Sequence, residues 1–262
     1  MFIGEEPTSA AELVDAELGR LDRIAAGALP GVPTGYPDLD DLLGGWQPGQ
    51  VIAVAGVERD AAVFALSAAL TAAARGHQAL VFTRHQREVH HRLMSACSGV
   101  PLHAIASGYD LTQRDVDRMR EAGKAVASWP LYIGEVAESA NVWIPCIQRD
   151  IGPGALVVVD TPDAIDDTPG LMRFAGRKDA AVMVVADRIE PGADRATAVE
   201  ILLLRPDYLD SESPRMGEVD ITVDQNRTGP TCTVTAAAQL HVSRFVDMSV
   251  TDISSWPAGD QP

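Results

Sequence analysis

The run Gly31-Val32-Pro33-Thr34-Gly35-Tyr36-Pro37-Asp38-Leu39-Asp40-Asp41-Leu42-Leu43-Gly44-Gly45-Trp46-Gln47-Pro48-Gly49 leads straight into the apolar segment 51–55. From Gly31 onward short apolar runs alternate with helix-length stretches. Segments 51–55, 79–83, 131–133, 155–159 and 181–186 read as strands, because continuous hydrophobicity suits a sheet covered on both faces. Helix-length segments near 61–75, 86–97, 111–127 and 140–149 lie between them. This alternation predicts an α/β fold with a mainly parallel sheet built from βαβ units and flanked by helices. Later, segments 199–204, 219–223 and 232–236 read as strands with no helix between them. Arg227-Thr228-Gly229-Pro230 forms a turn, so an antiparallel hairpin closes the C-terminal sheet edge.

Upstream of Gly31 the pattern is helical. Ser9 and Glu12 have capping-box spacing. Val14, Leu18, Leu21 and Ala25 then share one face, supported by Leu13 and Ile24. Gly27 and Pro30 stop the helix. It lies outside the sheet-forming part of the chain, so its apolar stripe must cover its own domain or a neighbour's. The expected organisation is a helix with flanks over 1–30, a sheet domain over 31–248 and an acidic tail over 249–262. The tail carries one aromatic residue, Trp256.

The totals narrow the function classes. Lys and Arg number 21 against 37 Asp and Glu, a formal net charge of -16. Phosphate neutralisation supplies most nucleic-acid affinity, so this balance argues against DNA as a partner. Cys97, Cys146 and Cys232 are far apart and without metal-ligand spacing, which fits reduced thiols in a cytoplasmic protein. Residues 1–7 have no apolar signal core, and no apolar run reaches membrane-spanning length. His85, His90 and His91 do not place three ligands on one helical face, so no metal site is expected.

The stretch from Gly31 to Gly49 resembles the beginning of the RecA-like C-terminal domain of DnaB-type replicative helicases. Gln225-Asn226-Arg227-Thr228-Gly229-Pro230 resembles that family's finger-bearing hairpin, and Val242-Ser243-Arg244-Phe245 its closing strand. The helix near the N-terminus occupies the place of the family's linker helix, which packs on the adjacent subunit. The resemblance covers roughly residues 9–248 and implies a RecA-like fold.

Against that pattern, the site residues depart. A phosphate-binding loop needs glycines, a Lys and a Ser or Thr that holds Mg²⁺. In Gly56-Val57-Glu58-Arg59-Asp60-Ala61-Ala62-Val63, the resemblance puts Gly56 at the first glycine, Ala61 at the second, Ala62 at the Lys and Val63 at the hydroxyl. Glu58 and Asp60 add negative charge there, and Arg59 is the loop's one cation. His85 aligns with the catalytic glutamate, Asp160 with the Walker B aspartate and Asp187 with the sensor glutamine. Asp160 reads alternatively as a strand-end cap bonded to nearby backbone. Arg227 aligns with the arginine finger and reads either as a residue serving a partner's site or as a solvated turn residue. The path from Asp160 to Ala181, with Asp163, Asp166 and Asp167, reads as a short acidic loop.

These departures predict a pseudo-ATPase that is not an enzyme and binds no cofactor. It would act as a scaffold through contacts with itself, in a ring or filament, or with a RecA-type ATPase whose site it caps. Val14, Leu18, Leu21 and Arg227 are the expected partner contacts. The alternative is an ATP-dependent DNA helicase or nucleic-acid-binding ATPase of DNA replication with an atypical phosphate loop. A third reading is a small-ligand binder using the same crevice.

Overall fold

The computed structural model describes residues 9–27, 30–57, 59–136, 151–161, 164–186, 188–189 and 197–248. The expected helix near 140–149, and Glu58, Cys146, Asp163, Asp187 and the tail with Trp256, lie outside them.

Helix α1, Ala10–Ala25, begins at the Ser9 capping box, with Ser9 and Glu12 satisfying each other's backbone N–H groups. Next come α2 (Pro37–Leu43), β1 (Val51–Gly56), α3 (Asp60–Ala74), β2 (Ala79–Thr83), α4 (Gln86–Ser98), α5 (Leu102–Ser107), α6 (Gln113–Val126) and β3 (Leu131–Glu135). The second half holds β4 (Leu156–Asp160), a 3₁₀ turn (Ala164–Asp167), α7 (Thr168–Lys178), β5 (Ala181–Ala186), β6 (Val199–Leu204), α8 (Pro206–Leu209), β7 (Glu218–Asn226), β8 (Cys232–Gln239) and β9 (Arg244–Asp247).

The nine strands form one sheet in the order β3-β2-β4-β5-β1-β6-β7-β8-β9. The first six in that order are parallel, and β7, β8 and β9 add to β6 in antiparallel fashion. Alternate strand residues serve opposite faces, as the two-residue strand period requires. Val158 and Ile52 pack on the face covered by α3, while Val51, Val157 and Val159 pack with Leu171 and Phe174 of α7. Helix α3 is apolar except at Asp60, Ser67 and Thr71 and is buried from Asp60 to Ala73 except at Ala62, as a helix at the centre of a large core must be.

The segment 31–49 wraps the start of this core. Val32 and Trp46 form an isolated bridge, and the Thr34 N–H donates to Asp40 Oδ1 at 2.7 Å. Tyr36 stacks on Phe64 at 5.8 Å, and Trp46 meets the same ring edge-on at 6.1 Å.

Two sequence expectations change. The path from Asp160 to Ala181 is not a short acidic loop: it contains α7, whose Leu171, Phe174 and Ala175 are buried against the sheet. The closing strand starts at Arg244, because Leu240–Val242 is a 3₁₀ turn and Ser243 has φ 53°. That strand, β9, is the expected closing strand and pairs with β8.

Candidate functional site

Strand order creates a crevice. From β1 the chain crosses to β2 on one side, while β6 pairs with β1 on the other. In open parallel sheets such a switch point lies beyond the strands' C-terminal ends. Register brings those ends together: Thr83 lies beside Asp160, Ala55 beside Ala186 and Gly56 beside Leu203.

The loop after β1 is tight. A Cβ on Gly56 would meet the Leu203 Cβ at 3.0 Å and the Asp60 Cβ at 3.3 Å, so packing against β6 demands glycine there. The Asp60 N–H donates to the Val57 carbonyl at 3.0 Å, and α3 begins at Asp60. Ala61 and Val63 are buried in the core, and Ala62 packs against it. The side chains at the expected Lys and hydroxyl positions are thus core alkyl groups.

The charges in the loop find partners across the crevice. Asp60 is buried, and its Oδ2 accepts from Arg205 Nε at 2.7 Å. Its charge is therefore compensated internally, contrary to the expectation of bare negative charge beside a phosphate. Arg59 turns the other way. Its Nη2 donates to Asp160 Oδ2 at 3.2 Å, and its Nε lies 3.3 Å from Glu88 Oε1. Asp160 also accepts from the Thr83 hydroxyl at 3.1 Å, so it does more than cap its strand. Glu88 accepts from Arg92 Nε and Nη2 at 3.0 and 2.9 Å. Burial pushes the Glu88 carboxyl up, but the Arg92 hydrogen bond and the charges of Arg59 and Arg92 together hold it below the usual carboxylate range.

His85 is exposed at the start of α4, where its backbone N–H donates to Thr83 Oγ1 at 3.0 Å. It lines an open cavity of about 550 Å³ with Arg84, Arg87, Glu88, His91 and Glu135. Among the described residues, no group of three or more His, Cys, Asp or Glu is placed to hold a metal ion. The donors do not fit a nucleotide-bound Mg²⁺: Val63 offers no oxygen, and Asp160 is engaged by Arg59 and Thr83.

Arg227 stands at the opposite end of the strands, beside the start of β6. Asn226 pairs with Val199 and Gly56 with Leu203, so four residues of β6, about 13 Å, separate the hairpin end from the crevice. The Arg227 N–H donates to the Ala198 carbonyl at 2.9 Å, and Gln225 Nε2 donates to the Thr197 carbonyl at 3.1 Å. On α1, Val14, Leu18 and Leu21 are 56%, 55% and 46% exposed, with Leu13 at 59%.

Sequence reasoning missed Glu88, Thr83 and Arg205. Arg205 had a usable signal: it directly follows the strand at 199–204, and a parallel neighbour of β1 must end beside the loop that follows β1. Among the described residues no helix is long and apolar enough to cross a membrane.

The family described as the DnaB-like helicase C terminal domain matches residues 31–160. Replicative DNA helicase DnaB of Leifsonia xyli subsp. xyli (strain CTCB07) is 27% identical over 283 residues, covering 90% of this chain and 61% of that protein. The same-named protein of Mycobacterium leprae (strain TN) is 46% identical over 67 residues, 25% of this chain and 11% of its own length. The chain thus spans about 61% of the length of the first of these relatives and matches a much smaller part of the second. Among solved structures, one described as an ATPase domain superposes with TM-score 0.80 at 20% identity, over 93% of this chain and 100% of that one. A DnaB-like replicative helicase, described with its interactions with primase, superposes with TM-score 0.75 at 20% identity, over 94% of this chain and 68% of that one. These two share the fold. The expectation that the chain is not an enzyme is corrected here: the relatives are named as helicases, which are enzymes, and the homology extends over most of the chain.

Proposed function

We propose that this chain, which belongs to the DnaB-like helicase C-terminal domain family, serves as a RecA-like subunit of a replication assembly, held through contacts with copies of itself in a ring or filament or with a RecA-type ATPase. The observation that carries this reading is the face of α1. Leu13, Val14 and Leu18 are more than half exposed, and Leu21 nearly so, on a capped helix outside the sheet. Fully burying one such side chain contributes about 1.5–3 kcal/mol, so a partner covering this stripe gains several such increments. The test is solution mass by sedimentation, for the wild type alone and with a family ATPase. Leu18→Glu combined with Leu21→Glu is expected to lower the mass of the assembly with the fold intact. An unchanged mass counts against α1 as the contact.

A second reading is an ATP-dependent helicase or nucleic-acid-binding ATPase with an atypical phosphate loop. Two observations favour it. Arg59 brings a cation from the loop to the Asp160 carboxylate. Arg227 sits at the end of the strands opposite its own crevice, where a second chain's crevice could meet it. ATP turnover by the wild type that is lost in Arg59→Ala supports this reading. Turnover unaffected by that substitution removes Arg59 from it.

A further inference from the structure

We infer that Arg59 is the receptor for a polyphosphate chain in this crevice, and that Asp160 and Glu88 compete with that chain for its guanidinium; this rests on the second reading, in which the crevice takes a phosphate ligand. Arg59 belongs to the loop between β1 and α3, and its side chain is 38% exposed. It holds two carboxylates from different elements, Asp160 at the end of β4 and Glu88 in the first turn of α4. Each carboxylate has a second donor of its own: Thr83 Oγ1 for Asp160, and Arg92 Nε and Nη2 for Glu88. If Arg59 swings away, neither acid is left without a hydrogen-bond donor. Leaving a buried charge unpaired is the large penalty in breaking an ion pair; Glu88 avoids it by keeping the Arg92 cation, and for Asp160 the Thr83 hydroxyl lessens it.

The departing group suits an anion. A guanidinium is planar and permanently charged, and it matches phosphate oxygens two at a time. The other acid of the loop, Asp60, is already paired with Arg205 at 2.7 Å. At the loop positions where further phosphate donors are expected, Ala61, Ala62 and Val63 supply only alkyl groups. Recognition therefore falls on Arg59, and the occupied and latched states share one cation. Asp160 and Glu88 then act against the ligand twice, by holding its receptor and by repelling its charge. A carboxylate that served the phosphates through a bound metal would behave in the opposite sense, since its loss would weaken binding.

Calorimetric titration of the full chain in chelator-treated buffer tests this, with inorganic tripolyphosphate and ATP as separate probes. Glu88→Gln and Asp160→Asn are each expected to bind both probes about two- to fivefold more tightly than the wild type, the range for partly exposed ion pairs. Arg59→Gln is expected to abolish binding. Adding Arg59→Gln to Glu88→Gln is expected to abolish it too, which separates Arg59 from the released Arg92. Circular dichroism checks the fold of each variant, and Glu88→Gln alone suffices if Asp160→Asn does not fold. Carboxylate variants that bind no tighter, an Arg59→Gln that binds like the wild type, a gain with ATP only, or no binding by any variant would overturn the inference. Tighter binding without turnover upholds the competition while removing the ATPase reading, and turnover without tighter binding does the reverse.

Discussion

Asp60 and Arg205 lie 145 positions apart in the chain and meet in an ion pair with Nε 2.7 Å from Oδ2. Parallel pairing of β1 with β6 brings them together, because Gly56 and Leu203 are register partners just ahead of each residue. Their side chains are only 3% and 11% exposed. Removing one member takes the short ion pair from a charge that remains buried. Arg205→Ala is therefore expected to cost about 3 kcal/mol, read as a lower urea midpoint. Asp60→Asn combined with Arg205→Met should lose distinctly less. A single variant as stable as the wild type would show that the pair carries no such role.

Phe64 links the 31–49 segment to the central helix. Tyr36 stacks on it and Trp46 meets its edge, and all three are buried. Phe64→Ala removes both ring contacts and opens a cavity, for an expected loss of about 3–5 kcal/mol. Phe64→Leu keeps most of the volume and should lose less than about 1.5 kcal/mol. Equilibrium unfolding followed by tryptophan fluorescence measures both. Equal losses would mean that volume does not set the cost here.

Two glycines separate backbone conformation from crowding. Gly45 has φ +82°, and a Cβ there would lie 2.7 Å from the Val32 carbonyl oxygen. Gly76 has φ +85° with nothing within 4 Å of the added carbon. Gly76→Ala should cost about 1–2 kcal/mol, the penalty of the left-handed region. Gly45→Ala should cost clearly more, because the Val32–Trp46 bridge must also shift. Thermal unfolding of the two variants compares them, and equal shifts would refute the crowding at Gly45.

Acid should weaken the antiparallel edge through Asp220. Its carboxyl accepts from Arg215 Nη1 at 2.9 Å and from the Thr235 hydroxyl at 2.8 Å. The Arg215 hydrogen bond, aided by Thr235 and the Arg215 charge, holds it below the usual carboxylate range against the opposing effect of burial. A carboxyl whose pKa is depressed on folding stabilises the fold above its unfolded value, about 3.9. That contribution is lost as pH falls through the folded value. Urea midpoints between pH 7 and pH values below about 3 should fall further for the wild type than for Asp220→Asn. Parallel curves would exclude this linkage.

Local pattern made much of the fold legible. The runs at 79–83 and 181–186 have the same bounds as β2 and β5, because a strand buried on both faces shows as near-continuous apolar sequence; the run at 199–204 has the bounds of β6 although Glu200 interrupts it. Helix α7 was hidden. Its acidic approach, with Asp166 and Asp167, masks a stripe of Leu171, Phe174 and Ala175 too short to announce a helical period. Helix α2 has a single buried residue, Leu39, and was hidden for the same reason.

At the site, the sequence by itself determined which side chains the loop after β1 can offer. It has alkyl groups at 61–63 and one cation at Arg59. Tertiary structure alone decided where the charges go. Arg59 reaches Asp160 across 101 positions, and Asp60 reaches Arg205 across 145. Charges neutralise one another through space, at distances set by strand order and register. Neither of those is written in the residues flanking the loop.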